Sequence, residues 1–385
     1  MKTAIVTATD RGYLPAACCQ LKSVADHLPP GSDAHLHLVC CDVDEGELQA
    51  ATEFFARKGI AVNIIAPKEV RDAIRPINSR WPRAAYLRLY FDMIFGADID
   101  RLVYLDADTR IMTSLEPLLT ADLKGYPAAA VHDFVYYLTG NIRRRRRDLF
   151  LADDAPYLQS GVMVFDWPRI LAEGTLARAR QFLVDHPENC QEAPDQDALN
   201  HVLEGQWTPL DPRWNLHETY LNFGGALTPY LEHYTSTKPW SRRRPHRWQN
   251  AAAWYRSELR GSVWSNFIPP QSPIDKLNAR IDFLTFCFKP KIRDFLASHA
   301  PAVADALRIP RHRSDDAELP WRPRNNKDVE DMARALVAEA RGKRGLIRPP
   351  ESVLDGYGAG QPIGLEAGRE TYRHVASVPS PAHRN

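Results

Sequence analysis

Cysteine, net charge and long apolar runs are all scarce in this sequence. The six cysteines form no C-x-x-C pair and no disulfide framework, so we expect reduced, mostly buried thiols. A net charge of +1 provides no overall electrostatic field for nucleic acid. No run of about 18 apolar residues predicts a membrane span, and the amino-terminal apolar run is too short for a secretory signal. A cytoplasmic protein is therefore expected.

Strand-like and helix-like runs alternate through the first half of the chain. Residues 3–9 are typical of a strand, and Leu14 and Leu21 then recur at helical spacing. Gly59 is placed to end a second helix. This alternation predicts parallel strands in an open, layered α/β sheet. Ligands bind such sheets at the carboxyl ends of the strands, which is where Asp106 lies.

The pattern changes twice further along the chain. Residues 81–96 are predicted to form one helix, with Tyr86, Leu89 and Met93 on one face. From about residue 241 the sequence is helical and apolar on one side, and beyond residue 309 it is rich in Pro, Arg and Gly. We therefore expect three parts, which are a first domain over residues 1–240, a helical extension over 241–309 and a partly disordered tail over 310–385.

Two carboxylates, Asp106 and Asp108, end the strand-like run at residues 101–108. Residues i and i+2 of a strand point to the same side, so these acids converge if the strand continues that far. Such oxygen ligands suit Mg²⁺ or Mn²⁺, particularly when phosphates share the cation. The same pattern also occurs at turns and helix caps. It also opens phosphatases of the haloacid-dehalogenase type, where the first acid is the nucleophile and the second the acid/base.

Six segments, in order through about 240 residues, resemble glycosyltransferase family 8, which contains bacterial lipopolysaccharide galactosyl- and glucosyltransferases and glycogenins. They are IVTATDRGY, AAYLRLYFDMIFG, VYLDADTRIMTSLEPLL, LQSGVMVFD, PDQDALN and HYTSTKPW. The resemblance implies a GT-A fold, a single Rossmann-like nucleotide-diphospho-sugar transferase domain with a mixed, mostly parallel sheet. That catalytic domain would be residues 1–240, followed by the helical C-terminal extension.

The resemblance also assigns roles to individual residues. Asp106, Asp108 and His233 would hold Mn²⁺ or Mg²⁺, since Mn²⁺ accepts imidazole beside carboxylates. The implied catalytic residues are Gln196, Asp195 and Arg88, with Asp197 as a further helper. The implied contacts to the UDP-sugar donor are Asp10 and Tyr13 at the nucleoside, Arg88, Asp106 and Lys238 near the diphosphate, and Gln159 at the sugar.

The implied reaction is transfer of a hexose, glucose or galactose, from a UDP-sugar to an acceptor hydroxyl of a saccharide such as a bacterial surface glycan. The family implies retention at the anomeric carbon, and the bound metal would neutralise the departing UDP as a Lewis acid. Gln196 stands where a nucleophile would be needed for double displacement, and an amide is a poor nucleophile. A same-face displacement, with the leaving phosphate taking the acceptor proton, is therefore easier to support.

Two other functions remain open. A phosphatase of the haloacid-dehalogenase type would use Asp106 as nucleophile and an acidic pair such as Asp153 and Asp154. A nucleotide-sugar-binding protein with weak or no catalysis would fit the departures from the family pattern at Arg11, at Gln159 and in the shortened HYTSTKPW segment.

The five consecutive arginines Arg143–Arg147 have two interpretations. They form a solvated loop, or they contact an anionic acceptor or lipid headgroups. The basic, aromatic segment FLTFCFKPKIRDFL in the C-terminal helices either lies on a membrane or packs on the catalytic domain. Peripheral contact with the inner face of a membrane is therefore a further expectation.

Overall fold

A seven-stranded sheet organises the computed structural model, which describes residues 1–133, 136, 142–216, 229–282 and 284. Its strand order is β3-β2-β1-β4-β7-β6-β8, and β7 runs antiparallel to both of its neighbours. A second, two-stranded sheet pairs β5 with β9. The strands are β1 Thr3–Thr9, β2 Ala34–Cys40, β3 Val62–Ile65, β4 Arg101–Leu105, β5 Thr109–Ile111, β6 Ala128–His132, β7 Leu158–Asp166, β8 Trp207–Pro209 and β9 Leu231–His233.

Helices cover both faces of the large sheet. They are α1 Leu14–Asp26, α2 Glu45–Lys58, α3 Lys68–Ala73, α4 Arg83–Tyr86, α5 Glu116–Leu119, α6 Ile142–Asp148, α7 Trp167–Ala172, α8 Thr175–Asp185, α9 Pro194–Val202 and α10 Gln249–Leu259. Short 3₁₀ segments lie at Leu87–Met93, Pro212–Asn215 and His246–Trp248. This arrangement confirms the predicted mixed, mostly parallel sheet.

Burial of the first strand shows why the layers form. Every residue of β1 is buried, as expected for a parallel strand covered on both faces. Ile5 belongs to the core cluster on one side of the sheet, and Val6 belongs to the cluster on the other side. The carboxyl ends of β1 and β4 therefore come together at one edge of a rigid sheet, next to the segments that carry the predicted site.

Local signals set both ends of α2, and the end at Gly59 was predicted. Asp44 caps the first turn by accepting the backbone N–H of Glu47 at 2.9 Å, and the Glu47 side chain accepts the Asp44 N–H in return. Gly59 ends the helix in the left-handed region with φ of 65°. A residue with a Cβ is strained there, which is why glycine stands at this position.

One predicted helix is wrong in detail. Residues 81–96 contain the single turn α4 and then the 3₁₀ segment Leu87–Met93 instead of one continuous α-helix. Tyr86 and Leu89 are buried as expected, but Met93 is 54% exposed. A 3₁₀ helix has 3.0 residues per turn, so positions four apart no longer share a face.

The arginine run is also different from the predicted solvated loop. It forms α6, in which Ile142 and Arg145 face inward while Arg143, Arg144 and Arg147 are exposed. Positions three apart share a helix face, so an apolar residue at the start of the run turns one of the five arginines into the protein.

The described part of the C-terminal region shares a core with the sheet. Trp248, Tyr255, Leu259 and Ile268 belong to the same buried cluster as α1. The boundary at residue 240 stays a prediction, and the predictions for residues 285–309 and for the tail fall outside the described residues. Among the residues that the structure describes, no helix is long and apolar enough to span a membrane.

The cysteines are buried thiols, as predicted, in the part of the chain that the structure describes. Cys18, Cys19, Cys40, Cys41 and Cys190 are all free and buried. Burial raises the pKa of the Cys40 and Cys41 thiols to about 12, so these groups stay protonated and inert near neutral pH. Cys287 lies outside the described residues.

Candidate active site

Asp106 and Asp108 come together through a turn and not through a continued strand. Strand β4 ends at Leu105, so the predicted extension to residue 108 is wrong. The chain turns and enters β5, which pairs antiparallel with β9 so that Thr109 lies opposite His233. The turn is fixed by backbone contacts, because Asp108 accepts the N–H of Tyr234 at 3.0 Å. Pairing of two distant segments therefore brings the imidazole to the two carboxylates.

The geometry of these three side chains fits a divalent cation. His233 Nε2 lies 3.6 Å from Asp106 Oδ2 and 3.3 Å from Asp108 Oδ1. One ligand atom from each of the three residues lies within 4.8 Å of the other two. Neighbouring ligands of an octahedral cation lie about 3.0 Å apart, since each is about 2.1 Å from the ion. Small movements of the side chains would therefore complete a metal site.

Glycine at position 161 makes room for this cluster. A Cβ there would lie 2.6 Å from Asp106 Oδ2, 2.6 Å from His233 Cε1 and 2.9 Å from Gln159 Oε1. Atoms that close overlap strongly, so any other residue would push the carboxylate and the imidazole apart. The backbone of β7 thus forms one wall of the site, and Gly161 also accepts the Asp106 N–H at 2.9 Å.

An amide chain fixes the orientation of His233. Asn215 Oδ1 lies 2.6 Å from His233 Nδ1, which leaves Nε2 directed at the two acids. Asn215 in turn donates from Nδ2 to Gln159 Oε1, which also accepts the Gly161 N–H at 2.8 Å. Second partners of this kind set the tautomer and direction of a metal-binding histidine. Gln159, predicted to contact the sugar, is therefore also tied to the predicted metal ligand.

Lys238 lies directly against the cluster. Its Nζ donates to Asp108 Oδ2 at 2.5 Å and to the carbonyl of Tyr234 at 2.5 Å. Burial acts to raise the pKa of Asp108, but Lys238 and His233 outweigh it and hold that pKa well below its usual range. Asp108 is therefore an anion at any pH near neutral, as a metal ligand must be.

Arg88 connects the Asp106 side of the site with α9. Its guanidinium donates to Asp106 Oδ1 at 2.7 Å and to the carbonyl and hydroxyl of Ser160 at 2.7 and 2.8 Å. Arg88 Nε lies 3.1 Å from Asp195 Oδ2. Burial raises the pKa of Asp195, and Arg88 opposes that effect. Arg88 also stacks 4.4 Å from the ring of Tyr104, whose hydroxyl donates to Asp106 Oδ1 at 2.6 Å.

Both N–H groups of the Gln196 side-chain amide donate hydrogen bonds. Its Nε2 donates to Asp133 Oδ2 at 2.8 Å and to the Tyr157 hydroxyl at 3.3 Å. Its Oε1 accepts the backbone N–H of Ser160 at 3.0 Å. The side chain is only slightly exposed, with 6% of the residue accessible. Asp197, the predicted helper, is fully buried away from solvent and accepts the Tyr157 hydroxyl at 2.5 Å.

The predicted nucleoside-binding residues, Asp10 and Tyr13, lie next to Lys238 at the edge of the carboxylate cluster. Asp10 follows β1 and accepts the Tyr13 N–H through Oδ1 at 3.1 Å. The Tyr13 ring packs edge-on against Trp240 at 5.7 Å and lies 5.6 Å from Lys238 Nζ. The first-strand loop and the HYTSTKPW segment, far apart in sequence, therefore form adjoining walls.

The sequence model of Glycosyl transferase family 8 matches residues 4–244, more than half of the chain. The chain belongs to this family. All the predicted site residues lie within the matched range, and the phosphatase alternative loses its support. Asp153 and Asp154, its proposed acidic pair, are exposed after α6.

Two curated proteins are moderately similar to this chain. General stress protein A of Bacillus subtilis (strain 168) is 32% identical over 146 residues, 37% of this chain and 49% of that protein. A lipopolysaccharide 1,2-glucosyltransferase of Escherichia coli (strain K12) is 29% identical over 208 residues, 50% of this chain and 59% of that protein. The chain thus spans about half the length of these two relatives.

A solved structure with the same fold is that of galactosyltransferase LgtC in complex with donor and acceptor sugar analogs. It superimposes with a TM-score of 0.59 at 20% identity, covering 69% of this chain and 99% of that one. This agreement establishes the GT-A fold for the family 8 domain.

Several residues at this family 8 site were missed from the sequence. Tyr104 could have been found, because it lies two positions before Asp106, near the end of the strand-like run, and alternate positions of such a run share a side. No sequence pattern identifies the other three, because a single polar residue in a loop or strand is common outside functional sites. These residues are Asn215, Ser160 and Asp133. Arg145 was hidden in a run of identical residues.

Proposed function

We propose that this chain is a UDP-sugar-dependent hexosyltransferase that retains the anomeric configuration and acts on a saccharide of a surface glycan. The observation that carries the proposal is the cluster of Asp106, Asp108 and His233, placed beside Arg88 at the carboxyl end of β4. The names of relatives support the substrate class, because they include a lipopolysaccharide 1,2-glucosyltransferase and a lipopolysaccharide 1,3-galactosyltransferase.

The ligands of the cation are Asp106, Asp108 and His233, a donor set that suits Mn²⁺ and also Mg²⁺. When bound, such a cation supplies positive charge against the phosphates of the leaving UDP. Asp106 is held for this role by Arg88 and Tyr104, both on its Oδ1, so Oδ2 faces His233. The protein thus orients the carboxylate before any ligand arrives.

Lys238 supplies a second positive charge. It is mostly buried, lies beside Asp108 and is 5.6 Å from the ring of Tyr13, which packs edge-on against Trp240. Burial lowers the pKa of Lys238, but Asp108 outweighs it, so the ammonium group stays charged. A charged donor fixed where negative charge develops stabilises the departing diphosphate.

Gln196 can offer only an oxygen lone pair to the sugar. A carboxamide has two N–H donors and two acceptor positions. Both donors are used by Asp133 and Tyr157, and one acceptor position is used by Ser160. The remaining lone pair suits a sugar hydroxyl or an anomeric carbon that is becoming positive, while the neutral amide is a poor nucleophile.

A same-face displacement follows from these restrictions. Asp195 is held by Ser160 and Arg88, and Asp197 is fully buried, so neither carboxylate is free to attack the sugar. The bond from the anomeric carbon to the phosphate oxygen breaks as the acceptor oxygen bonds to the same face. The acceptor proton passes to the leaving phosphate, which makes a separate general base unnecessary.

A donor-hydrolysis screen tests the proposal. Purified protein is incubated with UDP-glucose, UDP-galactose and other UDP-sugars with Mn²⁺ or Mg²⁺, and free UDP is measured. We expect metal-dependent release from one donor and its loss in Asp108→Ala, while the exposed control Asp153→Ala behaves as wild type. UDP binding without sugar transfer or hydrolysis would instead identify a binding protein, and turnover of a generic phosphate ester would identify a phosphatase.

Membrane contact through α6 remains part of the proposal, in a narrower form. Arg145 is buried, so only Arg143, Arg144 and Arg147 present exposed charge for an anionic surface. Flotation with liposomes of phosphatidylglycerol and phosphatidylethanolamine tests this, comparing wild type with an Arg143→Ala/Arg147→Ala variant. Equal flotation of both proteins would remove α6 from the membrane contact.

A further inference from the structure

A directional chain of hydrogen bonds links the arginine run to Gln196. Arg145 of α6 forms a buried ion pair with Asp197 of α9. Asp197 Oδ1 accepts the Tyr157 hydroxyl at 2.5 Å, and the Tyr157 oxygen accepts from Gln196 Nε2 at 3.3 Å. Tyr157 and Asp197 have no exposed surface, and Arg145 is 2% exposed.

The charge at the end of this chain sets the direction of every bond in it. An ionised carboxylate can only accept, so the Tyr157 hydroxyl has to donate to Asp197. Its oxygen is then left to accept from Gln196, which requires the amide nitrogen, and not the amide oxygen, to face Tyr157. The amide oxygen is thereby directed to the Ser160 N–H.

Arg145 is what keeps Asp197 ionised at this depth. Burial raises the pKa of Asp197 to about 6 even though the Arg145 guanidinium acts against that increase, so the carboxyl is ionised near neutral pH. A protonated Asp197 could donate to Tyr157, the hydroxyl could turn, and Gln196 Nε2 would then lose one of its two acceptors and keep Asp133 Oδ2 at 2.8 Å. The other contact of Asp197 is the Ala193 N–H at 3.2 Å, which holds the start of α9 and not Gln196.

We propose that Arg145 is a positioning residue for Gln196, acting through Asp197 and Tyr157. This inference rests on the proposed function, because it assumes that Gln196 faces the reacting sugar. It gives one of the five arginines a role that the remainder of the run does not share. Among the described residues, none of these four side chains contacts Asp106, Asp108 or His233 directly, so we expect binding of the metal and of UDP to change little when the chain of contacts is broken.

Tyr157→Phe is the decisive variant, because it removes one oxygen and leaves the shape and the ion pair in place. We expect kcat for donor hydrolysis to fall on the order of 10-fold, since the reacting group is misdirected. The KM for UDP-sugar and the Kd for UDP should change less than about twofold, which is the pattern of an interaction lost in the transition state. Wild-type kcat in Tyr157→Phe would overturn the inference.

Tyr255→Phe is the matched control. Tyr255 is also fully buried, and its hydroxyl has no hydrogen-bond partner among the described residues. The Tyr255→Phe variant should keep the kcat and the Tm of the wild type. Arg145→Gln should lower kcat like Tyr157→Phe, and Arg145→Lys, which keeps the charge, should recover part of it. A lower Tm in Arg145→Gln with unchanged kcat would mean a purely structural role and would overturn the inference.

A second readout separates this inference from the proposed function. The side-chain amide of Gln196 is observed in an ¹H–¹⁵N spectrum, with its signals assigned by their loss in Gln196→Glu. Tyr157→Phe and Arg145→Gln should both shift these signals, and Tyr255→Phe should leave them in place. If wild type turns over no UDP-sugar, the proposed function fails, and unshifted amide signals alone would then refute the chain of contacts.

Discussion

Two Asp-x-Asp segments border the same site, and they do different things. Asp106 and Asp108 keep partly accessible carboxylates, with 19% and 14% of the side chains exposed, and both face His233. Asp195 and Asp197 are 8% and 0% exposed, and each is held by a different arginine. Only the first pair can share a cation, although the spacing in the sequence is identical.

The backbone explains the difference. Asp106 and Asp108 lie in the turn between β4 and β5, where alternate side chains reach one side. Asp195 and Asp197 lie in the first turn of α9, where residues two apart point about 200° away from each other. Asp195 therefore reaches Arg88 and Ser160, while Asp197 is directed into the core. Spacing alone is thus no evidence for a metal site.

The largest expected effect is a loss of Mn²⁺ affinity that occurs in the Asp106–Asp108 pair and not in the Asp195–Asp197 pair. Asp108→Asn should weaken Mn²⁺ binding more than about 100-fold, since loss of an outer partner alone typically costs 10- to 100-fold. Electron paramagnetic resonance of free Mn²⁺ measures this without turnover. Asp197→Asn should bind Mn²⁺ like wild type. Equal losses in both variants would mean that the two segments are not distinct.

Filling the space at Gly161 tests how closely the first pair is packed. Gly161→Ala places a methyl group 2.6 Å from Asp106 Oδ2, so the cluster must open. We expect Mn²⁺ affinity to fall on the order of 100-fold and the free energy of unfolding to fall by about 1–3 kcal/mol. Urea titration measures the second quantity. Gly46→Ala serves as control, because its new Cβ makes an ordinary 3.4 Å contact. Equal effects of the two substitutions would show that the missing Cβ at position 161 is not required for the carboxylate cluster.

Asn215 tests whether the imidazole has to be oriented. Asn215→Ala removes the partner of His233 Nδ1, so Mn²⁺ affinity should fall by about 10-fold. Asn215→Asp keeps an acceptor oxygen at that point and should recover most of the affinity. Isothermal titration with Mn²⁺ compares the two variants, and no loss in Asn215→Ala would show that β9 alone fixes the ring.

The free energy of unfolding should depend on pH through Asp197, the fully buried member of the second Asp-x-Asp pair. Burial raises the pKa of Asp197 in the folded protein to about 6, above the pKa of an aspartate in the unfolded chain, although Arg145 acts against this increase. The other titratable groups around Asp197 are Tyr157, Tyr136 and Cys190. Its stabilising contribution is therefore complete below about pH 4 and is lost as the pH rises through 6.

The free energy of unfolding of wild type, relative to Asp197→Asn, should accordingly fall by on the order of 2 to 3 kcal/mol between pH 4 and pH 7. Urea titrations of both proteins across this range measure the difference, and Asp153→Asn serves as an exposed control. A difference that is flat with pH would mean that Asp197 is ionised throughout.

Much of the fold could be predicted because its signals are local. Alternating runs and the glycine at position 59 each act within a few residues. The one misjudged helix, residues 81–96, failed for a local reason as well. Apolar spacing does not distinguish an α-helix from a 3₁₀ segment when nearly every other residue is apolar.

The order of runs and motifs in the sequence determined the family, the GT-A sheet and the neighbourhood of Asp106, because parallel strands deliver their carboxyl ends to one edge. Tertiary structure alone decided which atoms meet. Pairing of β5 with β9 brings His233 to the acids, and the absence of a Cβ at Gly161 leaves room for them. Packing of α6 on α9 turns Arg145 onto Asp197. These contacts join residues far apart in the chain, so no local pattern records them.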